Sequence, residues 1–92
     1  MKLKPGFILR KCGEAEIVVP VGANVEKYKN MMITLSGSAR MLWDMLEKGC
    51  ERADLVRAML EKYDVEREVV ENDVDLFLKK LTRAELLDDE GL

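Results

Sequence analysis

The sequence predicts an α+β domain in which three strands precede three helices, and three features carry that prediction. The stretch Asn30 to Leu35, NMMITL, alternates in the manner of a strand, with Met31, Ile33 and Leu35 on one face and Met32 and Thr34 on the other. Ser36, Gly37 and Ser38 then break the run, and the apolar spacing switches to the helical period, so that Ala39, Leu42, Trp43 and Leu46 share one stripe. Upstream, Phe7 to Lys11 and Glu16 to Val21 flank the turn residues Cys12-Gly13-Glu14, the pattern of an antiparallel hairpin.

Each element has a local cause. Lys2 to Pro5 should be extended, because proline resists continuation as a helix and restricts the residue before it. Pro20 has no N–H to donate, so the second strand should end there or leave that side unpaired. Gly22 to Asn30 is the most polar connection, with Val25 and Tyr28 as its expected anchors. At the corner that follows the third strand, the hydroxyl of Ser36 or Ser38 is expected to accept a bond from a first-turn amide and cap the first helix. That helix should run from about Ser38 to Lys48 and stop at Gly49, a left-handed cap. The second helix should begin at Arg52 or Ala53, present Leu55, Val56, Met59, Leu60 and Tyr63 as one apolar face, and end at Asp64. The third should span about Glu66 to Thr82 or Arg83. Its acidic Glu66, Glu68 and Glu71 stand near the positive end of the helix dipole and its basic Lys79, Lys80 and Arg83 near the negative end. Leu86 and Leu87 are expected to return as a short apolar strap, giving one domain with an ordered core over about 5–87.

Composition excludes several functions. The 92 residues make one small domain, able to bury roughly 60 to 68% of its unfolded surface. Apolar residues at 48% and charged residues at 36% describe a soluble globular chain. Fifteen basic against 18 acidic side chains leave a net charge of −3, which offers no field for collecting nucleic acid. No apolar run approaches the roughly 20 residues needed to span a bilayer, and none has signal-peptide length, so a cytosolic location with no membrane partner is expected. Cys12 and Cys50 are the only cysteines and there is no histidine. Histidine-based metal sites, Ser-His-Asp triads and Cys-His dyads are thereby excluded, and no cofactor or enzymatic activity is expected. Two reduced thiols fit a cytosolic chain better than a disulfide.

The third helix carries the candidate binding residues. At about 100° per residue, Val70, Val74, Phe77 and Leu81 form the core stripe, while Val69 and Leu76 lie roughly 100° or more from its centre. They share their side with Asp73 and Lys80. On one reading Val69 and Leu76 widen the core stripe or touch a neighbouring strand. On the other they form one wall of a groove whose second wall is the Asn30 to Leu35 strand, suited to an extended peptide that adds to the sheet. Trp43 belongs to the core, in register with Ala39 and Leu46. Met31, Met41, Met45 and Met59 are core or near-core, which leaves Met32 as the methionine for the groove. Lys27 and Lys29 could steer an acidic peptide or guard the strand edge against aggregation.

The order of a strand leading into LSGSARMLWDMLEKG, then DLVRAMLEKYDV, then VENDVDLFLKKL and a terminal LL resembles the PqqD family, from about Pro5 to Leu87. The most specific part is the spacing of Leu35, Ala39, Trp43, Leu55, Leu60, Tyr63, Asp73, Val74, Phe77 and Leu81. The family pattern has Asn where this chain has Ser36, and Gly where it has Glu85. The resemblance implies a winged helix-turn-helix-like fold, with an N-terminal three-stranded antiparallel sheet followed by three helices. It implies a non-catalytic protein that binds the leader of a ribosomally made precursor peptide and presents it to a maturation enzyme, often a radical SAM protein. Pyrroloquinoline quinone assembly is one of the pathways such proteins serve. The leader would lie as a fourth strand beside Asn30, Met31, Met32, Ile33, Thr34 and Leu35 and against Val69, Asp73, Leu76 and Lys80. An exposed edge permits a monomer or a dimer.

Two other readings share this architecture. A winged-helix DNA-binding regulator would meet DNA with the N-terminal part of a recognition helix. Here Glu66 to Asp75 carries Glu66, Glu68, Glu71, Asp73 and Asp75 against the single Arg67, so charge opposes that reading. A generic protein–protein adaptor could use the same strand edge without any peptide maturation. The groove reading separates two kinds of variant. Val69→Asp or Leu76→Asp should weaken leader binding with little loss of folding, whereas Phe77→Ala in the core stripe should cost about 3 to 5 kcal/mol. Chemical denaturation and leader titration of the same proteins check both, and unfolding by every variant would refute the groove.

Overall fold

A computed structural model describes residues 1–29 and 32–88 of the chain. In chain order the elements are β1 (Lys2–Leu3), β2 (Phe7–Cys12), β3 (Ala15–Pro20), α1 (Asn24–Lys27), β4 (Ile33–Leu35), α2 (Ser38–Lys48), α3 (Arg52–Lys62), α4 (Arg67–Arg83) and β5 (Leu87–Asp88). The expected α+β order holds, with a three-stranded antiparallel sheet β2-β3-β4 followed by three long helices. No helix among the described residues is long and apolar enough to cross a membrane.

The hairpin is closed by Gly13 and Glu14, with Gly13 at φ 66, a conformation open to glycine without steric cost. Register runs from Phe7 opposite Pro20 to Cys12 opposite Ala15, and β3 ends at the proline that cannot donate to a ladder. β3 then pairs with β4, placing Glu16 opposite Leu35 and Val18 opposite Ile33. Val18, Ile33 and Leu35 turn inward with Leu42, Trp43 and Leu46 of α2, Leu55, Val56 and Met59 of α3, and Val70, Val74 and Leu81 of α4 to make one core. Trp43 is buried as its stripe predicts, and its indole N–H donates to Glu47 Oε1 at 2.6 Å, so its polar atom has a partner.

Two features lie beyond the sequence reading. The link between β3 and β4 contains the short helical turn α1, and β1 pairs with β5, setting Leu3 opposite Leu87. The apolar strap expected from Leu86 and Leu87 is thus a strand that ties the two ends of the described chain together, and both leucines are buried.

Three expectations are corrected. Neither Ser36 nor Ser38 caps α2 through its side chain: Gly37 is the N-cap, at φ 55 and ψ −125, and Ser38 is already helical. The corner needs a positive φ, and that requirement outranks hydroxyl capping. Val25 is not an anchor, being 49% exposed, whereas Tyr28 is buried and packs edge-on against Phe7 at 4.9 Å between ring centroids. Phe77 packs against the core but is only partly buried, so the cost of Phe77→Ala falls below that of a fully enclosed ring.

The end of α4 resolves the departure at Glu85. The Leu86 N–H donates to the Leu81 carbonyl at 2.9 Å and the Glu85 N–H to the Thr82 carbonyl at 3.0 Å, with Leu86 and Leu81 both fully enclosed. This is a Schellman cap, whose left-handed residue is usually glycine. Glu85 takes that conformation at φ 60, and its carbonyl accepts a bond from the Tyr28 hydroxyl at 3.0 Å. A β-carbon in this region costs about 1 to 2 kcal/mol, partly offset by the extra freedom glycine has when unfolded. Glu85→Gly is therefore expected to raise stability by about 0.5 to 1 kcal/mol, read from the urea midpoint.

Arg52 of α3 holds α4 from one flank, its Nε 2.6 Å from Asp75 Oδ1 and its Nη2 3.0 Å from Asp75 Oδ2. That hydrogen-bonded guanidinium, and then its charge, hold the Asp75 carboxyl below the usual aspartate range. A depressed folded pKa gives a contribution that is intact above the unfolded value and is lost as pH falls through the folded one. Asp75→Asn should thus be less stable than wild type at neutral pH, with the gap closing as pH falls below about 3.9. Both groups are solvent-exposed, so the effect is small; urea melts across pH measure it.

Candidate functional site

The sheet order leaves β4 with β3 on one side and an open edge on the other. Ile33 and Leu35 are 3% and 1% exposed, so their side chains are committed to the core and offer a visitor only backbone. Thr34 is exposed, and Met32, just before the strand, is 78% exposed. Asn30 and Met31 lie outside the described residues.

The helix wall divides as its periodicity predicts. Val70, Val74 and Leu81 are fully buried, while Val69 and Leu76 are 49% and 57% exposed and Asp73 and Lys80 are exposed beside them. At about 100° per residue these last four fall within a sector roughly 60° wide. Glu71 and Asp75, which face Arg52 of α3, lie on the other side of the core stripe. α4 therefore has three working surfaces: a central one in the core, one flank held by α3, and one flank left open. Exposure of Val69 and Leu76 does not fit the reading in which they widen the core stripe.

The strand edge and the open flank belong to elements that share one core, through Ile33 and Leu35 on one side and Val70 and Val74 on the other. Among the described residues no hydrogen bond or ion pair crosses from β4 to α4. Val69 also lines a surface depression with Glu66, Glu68 and Asn72 at the start of α4. Those three neighbours are absent from the sequence-derived set. The spacing of Glu66 and Asn72, three residues either side of Val69, was the available signal, and for Glu66 and Glu68 it was masked by their fit to the positive end of the helix dipole.

A cleft of about 420 Å³ between the β1 segment and α2 is lined by Lys2, Lys4, Phe7, Trp43 and Glu47, but Trp43 is only 2% exposed within it. Cys12 and Cys50 are free thiols, and burial, followed by the charge of Asp54, pushes the Cys50 thiol up and away from nucleophilic use. No group of His, Cys, Asp and Glu among the described residues is arranged to hold a metal.

With this geometry in place, comparison with known proteins is specific. Two solved structures share the fold. One, described as "TbiB1 in Complex with the TbiA(beta) Leader Peptide", has a TM-score of 0.74 and 25% identity over 100% of this chain and 98% of its own. The other, "Lasso peptide synthetase B1 complexed with the leader peptide", has a TM-score of 0.71 and 18% identity over 92% of this chain and 93% of its own. No curated protein matches the chain. The family model for coenzyme PQQ synthesis protein D matches residues 7–87, from the first residue of β2 to the first of β5, and the chain belongs to the PqqD family.

Proposed function

We propose that this protein is a non-catalytic adaptor that binds the leader of a ribosomally made precursor peptide and presents it to a maturation enzyme of the radical SAM type. The leader joins the open edge of β4 as a fourth strand and rests its side chains on Val69, Asp73, Leu76 and Lys80. The observation that carries this reading is the open edge of β4, in a fold shared over its whole length with a protein solved in complex with a leader peptide.

The division of labour follows from the chemistry of the two walls. Backbone groups of an edge strand pair with any extended chain, so they supply affinity with little selectivity. Val69 and Leu76 supply apolar contacts, and Asp73 and Lys80 add one charge of each sign, so the helix wall sets preference and register. Ordering an unstructured leader costs about 2 to 5 kcal/mol. The expected dissociation constant is therefore about 0.1 to 10 μM, or roughly −9.5 to −7 kcal/mol, weak enough for handover.

Amide NMR titration with a synthetic leader from a short reading frame encoded beside the gene tests the proposal. Expected are shifts confined to Asn30 to Leu35 and the Val69 to Lys80 face. Shifts centred elsewhere, or none at several hundred micromolar peptide (well above the expected range), would refute it for that leader.

A further inference from the structure

The sheet has a second face, and it is apolar. Phe7, Leu9, Val18, Ile33 and Leu35 turn to the core side. Strand register then sets Ile8 beside Val19 on the opposite face, with Arg10, Ile17 and Thr34 in the next row, and Met32 comes one residue before β4. Ile8 is 44% and Met32 78% exposed, and Ile17 and Val19 are partly exposed. Ile8, Ile17 and Val19 across two strands, with the exposed Met32 at the entry to the third, are an unusual surface to leave in water.

Its charge is one-sided. Arg10 is exposed and in no ion pair among the described residues. The only acidic residue of β2, β3 and β4 is Glu16, which lies on the core side and is bound to Arg40 of α2. A single guanidinium in an apolar field, with methionine at its border, has the composition of an interface centre. A second copy of this face would bring two cations together and no carboxylate, so it is a poor match for itself.

We infer that this outer face docks the maturation enzyme, through an apolar patch on the enzyme that carries a carboxylate to meet Arg10. The inference rests on the leader-binding reading and extends it. A leader added at the edge of β4 must alternate like any strand, so every second side chain faces the same way as the Arg10–Ile17–Thr34 row and the Ile8–Val19 pair. An enzyme seated on the outer face touches protein and leader together, and its affinity rises when the leader is bound.

Ile8→Asp and Arg10→Glu test the inference, since both sit on β2 at the far edge of the sheet from the leader. Circular dichroism and thermal melts establish that each variant folds, and the exposed Arg10 position keeps at least one variant free of core disturbance. Calorimetry measures the synthetic leader; interferometry measures the purified maturation enzyme encoded with that leader, with and without the peptide. The expected result is leader affinity within about twofold of wild type, enzyme affinity reduced by about tenfold or more in both variants, and Arg10→Lys close to wild type. Enzyme affinity unchanged in both variants would overturn the docking inference while leaving leader binding intact. So would a wild-type dimer in sedimentation that Ile8→Asp dissociates, because the face would then be a contact between copies. A wild-type protein that fails to bind the leader would instead overturn the proposed function.

Discussion

Burial of Ile33 and Leu35 beneath the helices is the constraint on which the rest of the structure depends. It fixes which way β4 faces, and pairing with β3 fixes its register, so the backbone groups on its remaining side point outward. For the proposed strand addition, a strand held this firmly on one side and from below would be a preorganised template, so that a chain pairing with it need not order the template as well. An open edge is also an invitation to aggregate. Here the strand is only three residues long, and Gly37 turns the chain into α2 two residues after it, so the exposed row is short.

α4 completes the arrangement by using its circumference fully. Val70, Val74 and Leu81 fill the core, and Arg52 clamps Glu71 and Asp75 on the flank beside α3. The opposite flank is left with Val69, Asp73, Leu76 and Lys80. The clamp is exposed and weak in isolation; its use is to settle which flank is occupied. The far end of the helix is secured by the Schellman cap at Glu85, the Tyr28 hydroxyl and the pairing of β5 with β1. Tyr28 belongs to the segment just before β4, so one hydrogen bond joins the approach to the strand edge with the end of the helix wall.

Much of this was legible in the residues. Alternation and the change of period after Leu35 mark the strand and α2, although the strand covers only Ile33–Leu35 of the expected Asn30 to Leu35, with Met32 outside it and Asn30 and Met31 outside the described residues. The helical arithmetic that set Val69 and Leu76 apart from Val70 and Val74 agrees with their exposure. Ser36 and Ser38 misled because a capping hydroxyl is a local preference of about 1 kcal/mol, while the corner needed the positive φ that Gly37 accepts. Glu85 was opaque for the opposite reason: no sequence rule puts glutamate in a left-handed cap, and the burial of Leu86 together with the bond from the Tyr28 hydroxyl, both contacts remote in sequence, hold it there. The apolar outer face of the sheet was hidden because separate strands must be brought into register before Ile8 meets Val19 and Arg10, Ile17 and Thr34 form one row.

The sequence by itself determined the three strands of the main sheet, the three long helices, their order and the face each one buries, since these follow from periodicity, proline, glycine and the sign of charge along a helix. Tertiary structure alone decided that β4 is the edge strand on this side of the sheet, that β1 and β5 close the chain, and which flank of α4 stays open. Those outcomes depend on contacts between residues far apart in sequence, and periodicity describes one segment at a time.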